Sequence, residues 1–300
     1  MTFAFAPAVN VLRAAAEPTR LRLLALLIRA ELTVGEISAI VSQSQPRVSR
    51  HLKLLCDAGL LDRLREQAWV YYRVPAAGEG LEAVRQLLTL VDEDDELLAR
   101  DRQRMEEIIG ERAKLAQTGN QLNEPASDHI DPILCSELGT QPLGAVVDIG
   151  TGSGHLLKVL APRASRLVGI DISSEALKLA RTNVYDAGIH CELQRGDMYD
   201  LPFAAPVFDT AIVDRVLATA SRPIAALSEI ARILKYRGQL VLIDDFDAIA
   251  ARGQGNPIAT LREWFRDAGL QCVRIRPVDT ERGHLMIAVA RNERMVAAAA

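Results

Sequence analysis

The run Val147-Asp148-Ile149-Gly150-Thr151-Gly152-Ser153-Gly154 constrains this chain more than any other feature. An apolar strand ends in three alternating glycines, and a helical pattern begins directly after them. Glycines permit a tight turn and let the backbone come close to a ligand at a helix start. From residue 143 onward, apolar strands are predicted at 145–149, 167–170, 210–213 and 239–243, with helical segments between them. That alternation builds a parallel sheet covered on both faces. Residues 271–277 and 284–290 would close the sheet as an antiparallel hairpin, giving seven strands.

A glycine-rich turn alone also fits dinucleotide binding. The spacing here is GxGxG rather than GxGxxG. Asp171, followed by Ile172, ends the next strand about 20 residues on, where a carboxylate can accept both ribose hydroxyls. Gly196-Asp197-Met198 closes a third strand region. Asp197 could accept from an adenine amino group, and Met198 could pack on the ring.

The chain has 300 residues, enough for two domains with their own cores. The expected division is 1–78, a helical segment 79–130, a sheet domain 131–292 and a tail 293–300. The formal net charge is −4, but it is unevenly spread. Residues 1–75 hold ten Lys/Arg against six Asp/Glu, leaving 25 against 33 for the rest. A basic head on an acidic chain is expected when one domain alone meets phosphate. No run reaches the ~18 apolar residues of a membrane span, and residues 1–10 lack the pattern of a signal peptide. A cytoplasmic location is therefore expected. The four cysteines are widely separated, with no CxxC pair, and read as buried or half-buried thiols.

In the head, residues 11–29 carry helical apolar spacing broken at Pro18-Thr19, so two helices are predicted to meet there. Residues 33–41 read as a helix with Thr33 as N-cap and Glu36 at the capping-box position. A further helix starts near Ser44, has Pro46 in its first turn and ends at Gly59. Residues 60–64 and 69–74 are predicted strands around a turn at 66–68. Val48, Leu52 and Leu55 make one apolar face of the helix after Ser44. Gln45, Arg47, Ser49, Arg50 and Lys53 lie on other faces, and His51 belongs to the same segment. Such residues pair with guanine and adenine edges and with phosphates. Arg63, Arg65 and Gln67 would lie near the tip of the hairpin, as a wing. By composition alone, a surface helix that happens to be basic would look the same. Residues 79–117 are expected to be helical, with the acidic run 92–96 as a solvated face or a break.

The segments Glu17-Pro18-Thr19-Arg20, Val48-Ser49-Arg50-His51-Leu52, Ala58-Gly59-Leu60 and Trp69-Val70-Tyr71-Tyr72-Arg73 resemble the ArsR/SmtB repressors over residues 9–75. That resemblance implies a winged helix-turn-helix homodimer on a double-stranded operator, with an effector that releases it. Metal-sensing members carry Cys-x-Cys on the helix before the turn. The matching positions here are Thr33 and Gly35, so no metal site is expected there.

Residues 130–292 resemble class I S-adenosylmethionine-dependent methyltransferases, and the whole chain resembles ArsR–methyltransferase fusions. The implied fold is an α-helical winged head plus an α/β, Rossmann-like domain. The implied cofactor is S-adenosylmethionine or S-adenosylhomocysteine. Gly150, Gly152 and Gly154 would meet its methionine part, Asp171 and Ile172 its ribose end, and Asp197 and Met198 its adenine, with Asp148 supporting the loop. Methyl transfer also needs a positioned acceptor. After the fourth strand, Asp214 is a weak catalytic candidate because Arg215 beside it could simply pair with it. Asp244, Asp245 and Asp247 read as cap and surface residues. Two functions stay open: a regulator that binds the adenosyl ligand as its effector, and a working methyltransferase with a DNA-binding head.

Overall fold

The computed structural model describes residues 4–66, 69–92, 94–119, 130–253, 256–280 and 283–294. Gln67 of the predicted wing, most of the stretch before Asp131 and the end of the tail lie outside these residues. The chain divides into two compact units: Met1–Gln121 with Arg181–Glu192, and Leu122–Ala180 with Leu193–Ala300.

In the first unit, α1 (Phe5–Ala15) and α2 (Pro18–Leu27) meet at the predicted break, where Glu17 accepts the Arg20 backbone N–H at 2.9 Å. β1 (Leu32–Thr33) leads into α3 (Val34–Val41). The capping box forms: Thr33 Oγ1 accepts the Glu36 N–H at 3.3 Å, and Glu36 accepts the Thr33 N–H at 2.7 Å. Ser42, in the left-handed region at φ 54°, turns the chain into α4 (Gln45–Asp57). Val48, Leu52 and Leu55 of α4 are fully buried against Leu23, Leu27, Ile37 and Ile40. Burial of such a stripe, at about 25 cal/mol per Å² of apolar surface, is what holds a helix of this length in place.

The hairpin β2 (Asp62–Glu66) and β3 (Trp69–Arg73) follows. Its first strand starts two residues later than the apolar pattern suggests, because Leu60 and Leu61 belong to the core rather than the ladder. β1 completes an antiparallel sheet of order β1-β3-β2, with Leu32 opposite Tyr72. Two residues give too short a pattern for sequence reasoning to see that strand.

α5 (Glu79–Leu88) and α6 (Glu96–Gly119) flank the acidic run, which is a break between helices. They pack on the winged-helix core through Leu81, Val84, Met105 and Ile109, so this helical segment belongs to the same compact unit as the head. A cluster of four charged side chains is also buried in this unit. Glu31 accepts from Arg73 and Arg181 at 2.8 Å each, and Arg73 donates to Glu192 at 2.9 Å. The Arg181 guanidinium stacks over the Tyr71 ring, 4.0 Å from its centroid. Burial works against the ionised Glu31, yet the Arg181 and Arg73 charges hold its carboxyl below the ordinary range.

The second unit contains α7 (Asp131–Leu138), β4 (Gly144–Ile149), α8 (His155–Leu160), β5 (Ala164–Asp171) and the start of α9 (Ser174–Asp186). Next come β6 (Glu192–Arg195), β7 (Phe208–Asp214), α10 (Pro223–Ile233), β8 (Leu234–Asp245), α11 (Phe246–Arg252) and α12 (Pro257–Asp267). The hairpin β9 (Leu270–Thr280) and β10 (Gly283–Asn292) ends the sheet. The seven-stranded order is β6-β5-β4-β7-β8-β10-β9. β5, β4, β7 and β8 run parallel, and β10 is antiparallel to both neighbours. Strand order reverses at β4, whose neighbours β5 and β7 lead the chain away in opposite directions. The carboxyl ends of these strands are therefore where an open α/β sheet takes its ligand.

Candidate functional site

The glycine turn forms at that switch point. Gly150 and Thr151 donate their N–H groups to the Ile170 carbonyl at 2.8 and 2.9 Å, which ties the turn to the end of β5. Gly150 has φ 78°, and a Cβ there would stand 2.3 Å from Val216 Cγ2, so both conformation and space demand glycine. Gly154, at φ 80°, delivers the chain into α8. Asp171 accepts the Gly152 N–H at 2.9 Å and the Ser173 N–H at 2.8 Å. Its carboxylate is thus fixed beside the turn, with lone pairs remaining for a diol. Ile172 next to it is 60% exposed, an open apolar face for a ring. Asp197 is exposed and accepts the Tyr199 N–H at 3.0 Å, while Met198 is half-buried against the sheet core. These residues could hold a nucleoside: a diol acceptor and an apolar face beside the glycine turn.

Asp148 supports the turn from beneath. It is buried, accepts from Thr151 Oγ1 at 2.7 Å, and burial pushes its pKa up to about 7, with Asp214 and Asp171 adding to the rise. Asp244 is also buried, its pKa raised to about 6 by desolvation. It accepts the N–H groups of Ala218 and Asp245 at 2.8 and 2.9 Å. Expecting Asp244 on the surface was an error: it ends a buried strand, and its carboxyl turns back onto the loop after β7. Asp245 does cap α11, accepting the Ala248 N–H at 2.7 Å. Asp214 is gripped by Arg215 through contacts of 2.9 and 3.1 Å. Four carboxyls, those of Asp148, Asp171, Asp214 and Asp244, therefore mark the ends of β4, β5, β7 and β8. Sequence reading assigned Asp171 to the ribose, Asp148 to the support of the loop and Asp214 as a weak catalytic candidate.

On the first unit, α4 presents Gln45, Arg47, Ser49, Arg50 and Lys53 to solvent, and Arg63 and Arg65 are exposed on β2. His51 does not share that face. Its side chain is only 14% exposed and its Nδ1 lies 3.6 Å from Glu17 of the α2 cap. A base-reading role for His51 would need it to leave that position. Sequence reading also missed what holds the turn between α3 and α4. Arg104 of α6 donates to the Ile40 carbonyl at 2.9 Å and to Ser42 Oγ at 2.8 Å. Arg22 bonds Asp101 of α6 at 2.6 and 2.7 Å and the Val41 carbonyl at 3.2 Å. The side-chain partners, 62 and 79 residues apart, leave no local signal.

The model of the family described as "Bacterial regulatory protein, arsR family" matches residues 17–63. The arsenic resistance transcriptional regulator ArsR1 of Pseudomonas putida is 39% identical over 104 residues, which cover 34% of this chain and 79% of that protein. The chain belongs to the ArsR family. This ArsR-family chain carries a second domain that the model described as "Methyltransferase domain" matches over residues 147–242. A phosphatidylethanolamine N-methyltransferase of Cereibacter sphaeroides is 31% identical over 122 residues, 40% of this chain and 57% of that enzyme. The chain thus spans little more than half the length of that relative. Among solved structures, the N-methyltransferase NodS of Bradyrhizobium japonicum, in complex with S-adenosyl-l-homocysteine, is 20% identical. The likeness covers 61% of this chain and 99% of NodS, with a TM-score of 0.48.

In the ArsR-family head, Thr33 is occupied by its capping box, and Gly35 offers no ligand atom. Among the described residues, no group of three or more His, Cys, Asp or Glu is placed to hold a metal. Cys135 is exposed, not half-buried as expected, while Cys191 is buried. No described helix is long and apolar enough to cross a membrane.

The exposed face of α4 yields a direct prediction. Arg50→Ala should weaken operator binding by about 1–3 kcal/mol if its guanidinium reads a base, and should relax selectivity at one position. Competition against non-operator DNA at fixed salt measures it, and an unchanged operator affinity removes Arg50 as a reader.

Proposed function

We propose that this protein is a DNA-binding transcription regulator whose methyltransferase-like domain takes S-adenosylhomocysteine or S-adenosylmethionine as effector. Two copies would occupy a palindromic operator, each placing α4 in the major groove. Gln45, Arg47, Ser49, Arg50 and Lys53 would meet bases and phosphates, with Arg65 on the wing. The observation that carries the ligand reading is the Asp171 carboxylate, fixed by the Gly152 and Ser173 N–H groups at the switch point of the sheet. Asp171 would take the ribose hydroxyls, the turn at Gly150, Gly152 and Gly154 the methionine part, and Asp197 and Met198 the adenine. The pairing of Asp214 with Arg215 favours the effector role, since the Arg215 guanidinium already occupies both carboxylate oxygens.

Asp171→Ala should abolish ligand binding in calorimetry yet leave operator affinity without ligand unchanged. Retained ligand binding in that variant would contradict the assignment. One observation favours a second reading, a working methyltransferase. Asp148 and Asp244 titrate near neutral pH at the ends of β4 and β8, as a proton-accepting group would. Turnover of radiolabelled S-adenosylmethionine onto a defined acceptor would establish that reading instead.

A further inference from the structure

The first unit holds a pocket of about 430 Å³, between α2, α5 and α6, that no role above uses. Its size falls within the roughly 300–1,000 Å³ of small-molecule sites. Leu26 of α2, Leu88 of α5, and Leu98 and Met105 of α6 give it aliphatic walls. Among the described residues no aromatic side chain lines it. The charged lining is one-sided: Arg22, Arg29, Arg85 and Arg102 against a single acid, Asp101. Asp101 is itself buried and taken by Arg22, whose Nε and Nη2 donate to its two oxygens at 2.6 and 2.7 Å. That pair cancels, so the remaining guanidinium groups set the sign of the pocket.

Aliphatic walls with a basic lining complement an aliphatic chain that ends in an anion. The chain gains by leaving water, and arginines bind carboxylates through charge-assisted hydrogen bonds. We infer that this pocket is a second effector site, which takes a medium-chain aliphatic carboxylate. The regulatory part follows from Arg22. Its Nη2 also donates to the Val41 carbonyl at 3.2 Å, at the end of α3 and directly before the Ser42 turn into α4. A bound carboxylate competes with Asp101 for that guanidinium and loosens the tie between α6 and the turn that presents α4. The ligand then favours the state with Arg22 drawn off Asp101, and only such a preference can shift the equilibrium. The expected sign is weaker operator binding. The pocket belongs to the first unit and the glycine turn to the second, so failure of the adenosyl-ligand reading leaves it untouched. The effect on the operator does rest on the DNA-binding reading.

The test begins with calorimetric titration of the full chain with two probes below their micelle concentrations. These are decanoate and decyltrimethylammonium, which puts the opposite charge on the same chain. Wild type should bind decanoate saturably, and roughly tenfold or more tighter than the cation. Arg85→Gln with Arg102→Gln should remove most of that preference. Arg85 is exposed and Arg102 half-buried, so the double variant keeps the core, and circular dichroism checks that it does. Saturating decanoate should weaken operator binding of wild type roughly tenfold and that of the double variant much less. No saturable decanoate binding to wild type overturns the inference. So does equal affinity for the cation, or unchanged decanoate affinity in a folded double variant. If sedimentation shows decanoate splitting a dimer, the occupant of the pocket is a second copy of the chain and the inference fails. Decanoate that binds without moving the operator curve overturns the effector role. Wild type that does not bind operator DNA at all overturns the DNA-binding reading, and the effector role with it.

Discussion

Glu31→Ala should destabilise the first unit by about 3–5 kcal/mol, the usual cost of removing one partner from a buried charge pair. Glu31, Arg73, Arg181 and Glu192 carry two charges of each sign and are all nearly inaccessible to water. With Glu31 gone, Arg73 keeps Glu192 and the more exposed Asp62, which lies 3.7 Å away, while Arg181 loses the carboxylate it meets at 2.8 Å. An excess positive charge is then left in a low-dielectric interior. Chemical denaturation followed by the fluorescence of Trp69, in the same unit, measures the loss. Glu31→Gln should fall between wild type and Glu31→Ala, because it keeps hydrogen-bond acceptance and volume while losing the charge. A loss below about 1 kcal/mol for Glu31→Ala, the range of solvent-exposed pairs, would contradict the account.

The second unit should lose stability as pH rises from 5 to 8. Asp148 has a folded pKa of about 7 because burial disfavours its charged form. A carboxyl whose folded pKa lies above its unfolded value binds more protons in the native state across that interval. Stability is then fully present below the unfolded pKa near 4 and is lost as pH climbs through the folded one. A shift of this size corresponds to about 4 kcal/mol, at roughly 1.4 kcal/mol per pK unit. Asp244, with a pKa of about 6, adds a smaller loss of the same sign. Urea denaturation followed by Trp264, at pH 5, 6, 7 and 8, should show the decline. Asp148→Asn should flatten it, since the amide carries no charge to desolvate. A variant as steep as wild type would place the titrating group elsewhere.

Much of this was legible in the sequence because local signals are strong where backbone conformation is specified by a few neighbours. The glycine turn, the Thr33–Glu36 capping box, the break at Pro18 and the terminal hairpin all declare themselves within a few residues. The same holds for the outward residues of α4, whose apolar partners recur at helical spacing. What escaped is long-range. Glu31, Arg22 and Arg104 gain meaning from partners tens of residues away. β1 has no periodicity, and its pairing to Tyr71 and Tyr72 exists because the hairpin folds back on it. Asp244 was misjudged because acidic residues at 244, 245 and 247 read as solvated, whereas β8 is buried on both faces through Asp244. His51 was grouped with the reading residues by its position in the motif, but the Glu17 cap draws it to the inner side of the helix.

The regulatory account requires coupling between ligand occupancy and operator affinity. A ligand moves such an equilibrium only through different affinities for the two states. A tenfold change in operator affinity needs about 1.4 kcal/mol of coupling, within the usual allosteric range. α6 could carry it within the first unit, since Arg104 and Asp101 hold the turn from which α4 departs. The decisive measurement is an operator titration of the wild-type protein at fixed salt, without ligand and with saturating S-adenosylhomocysteine or S-adenosylmethionine. The account predicts that at least one of them shifts the binding curve tenfold or more. Superimposable curves in all three conditions, with calorimetry showing that the ligands are bound, would contradict it and leave the DNA head and the adenosyl pocket energetically independent.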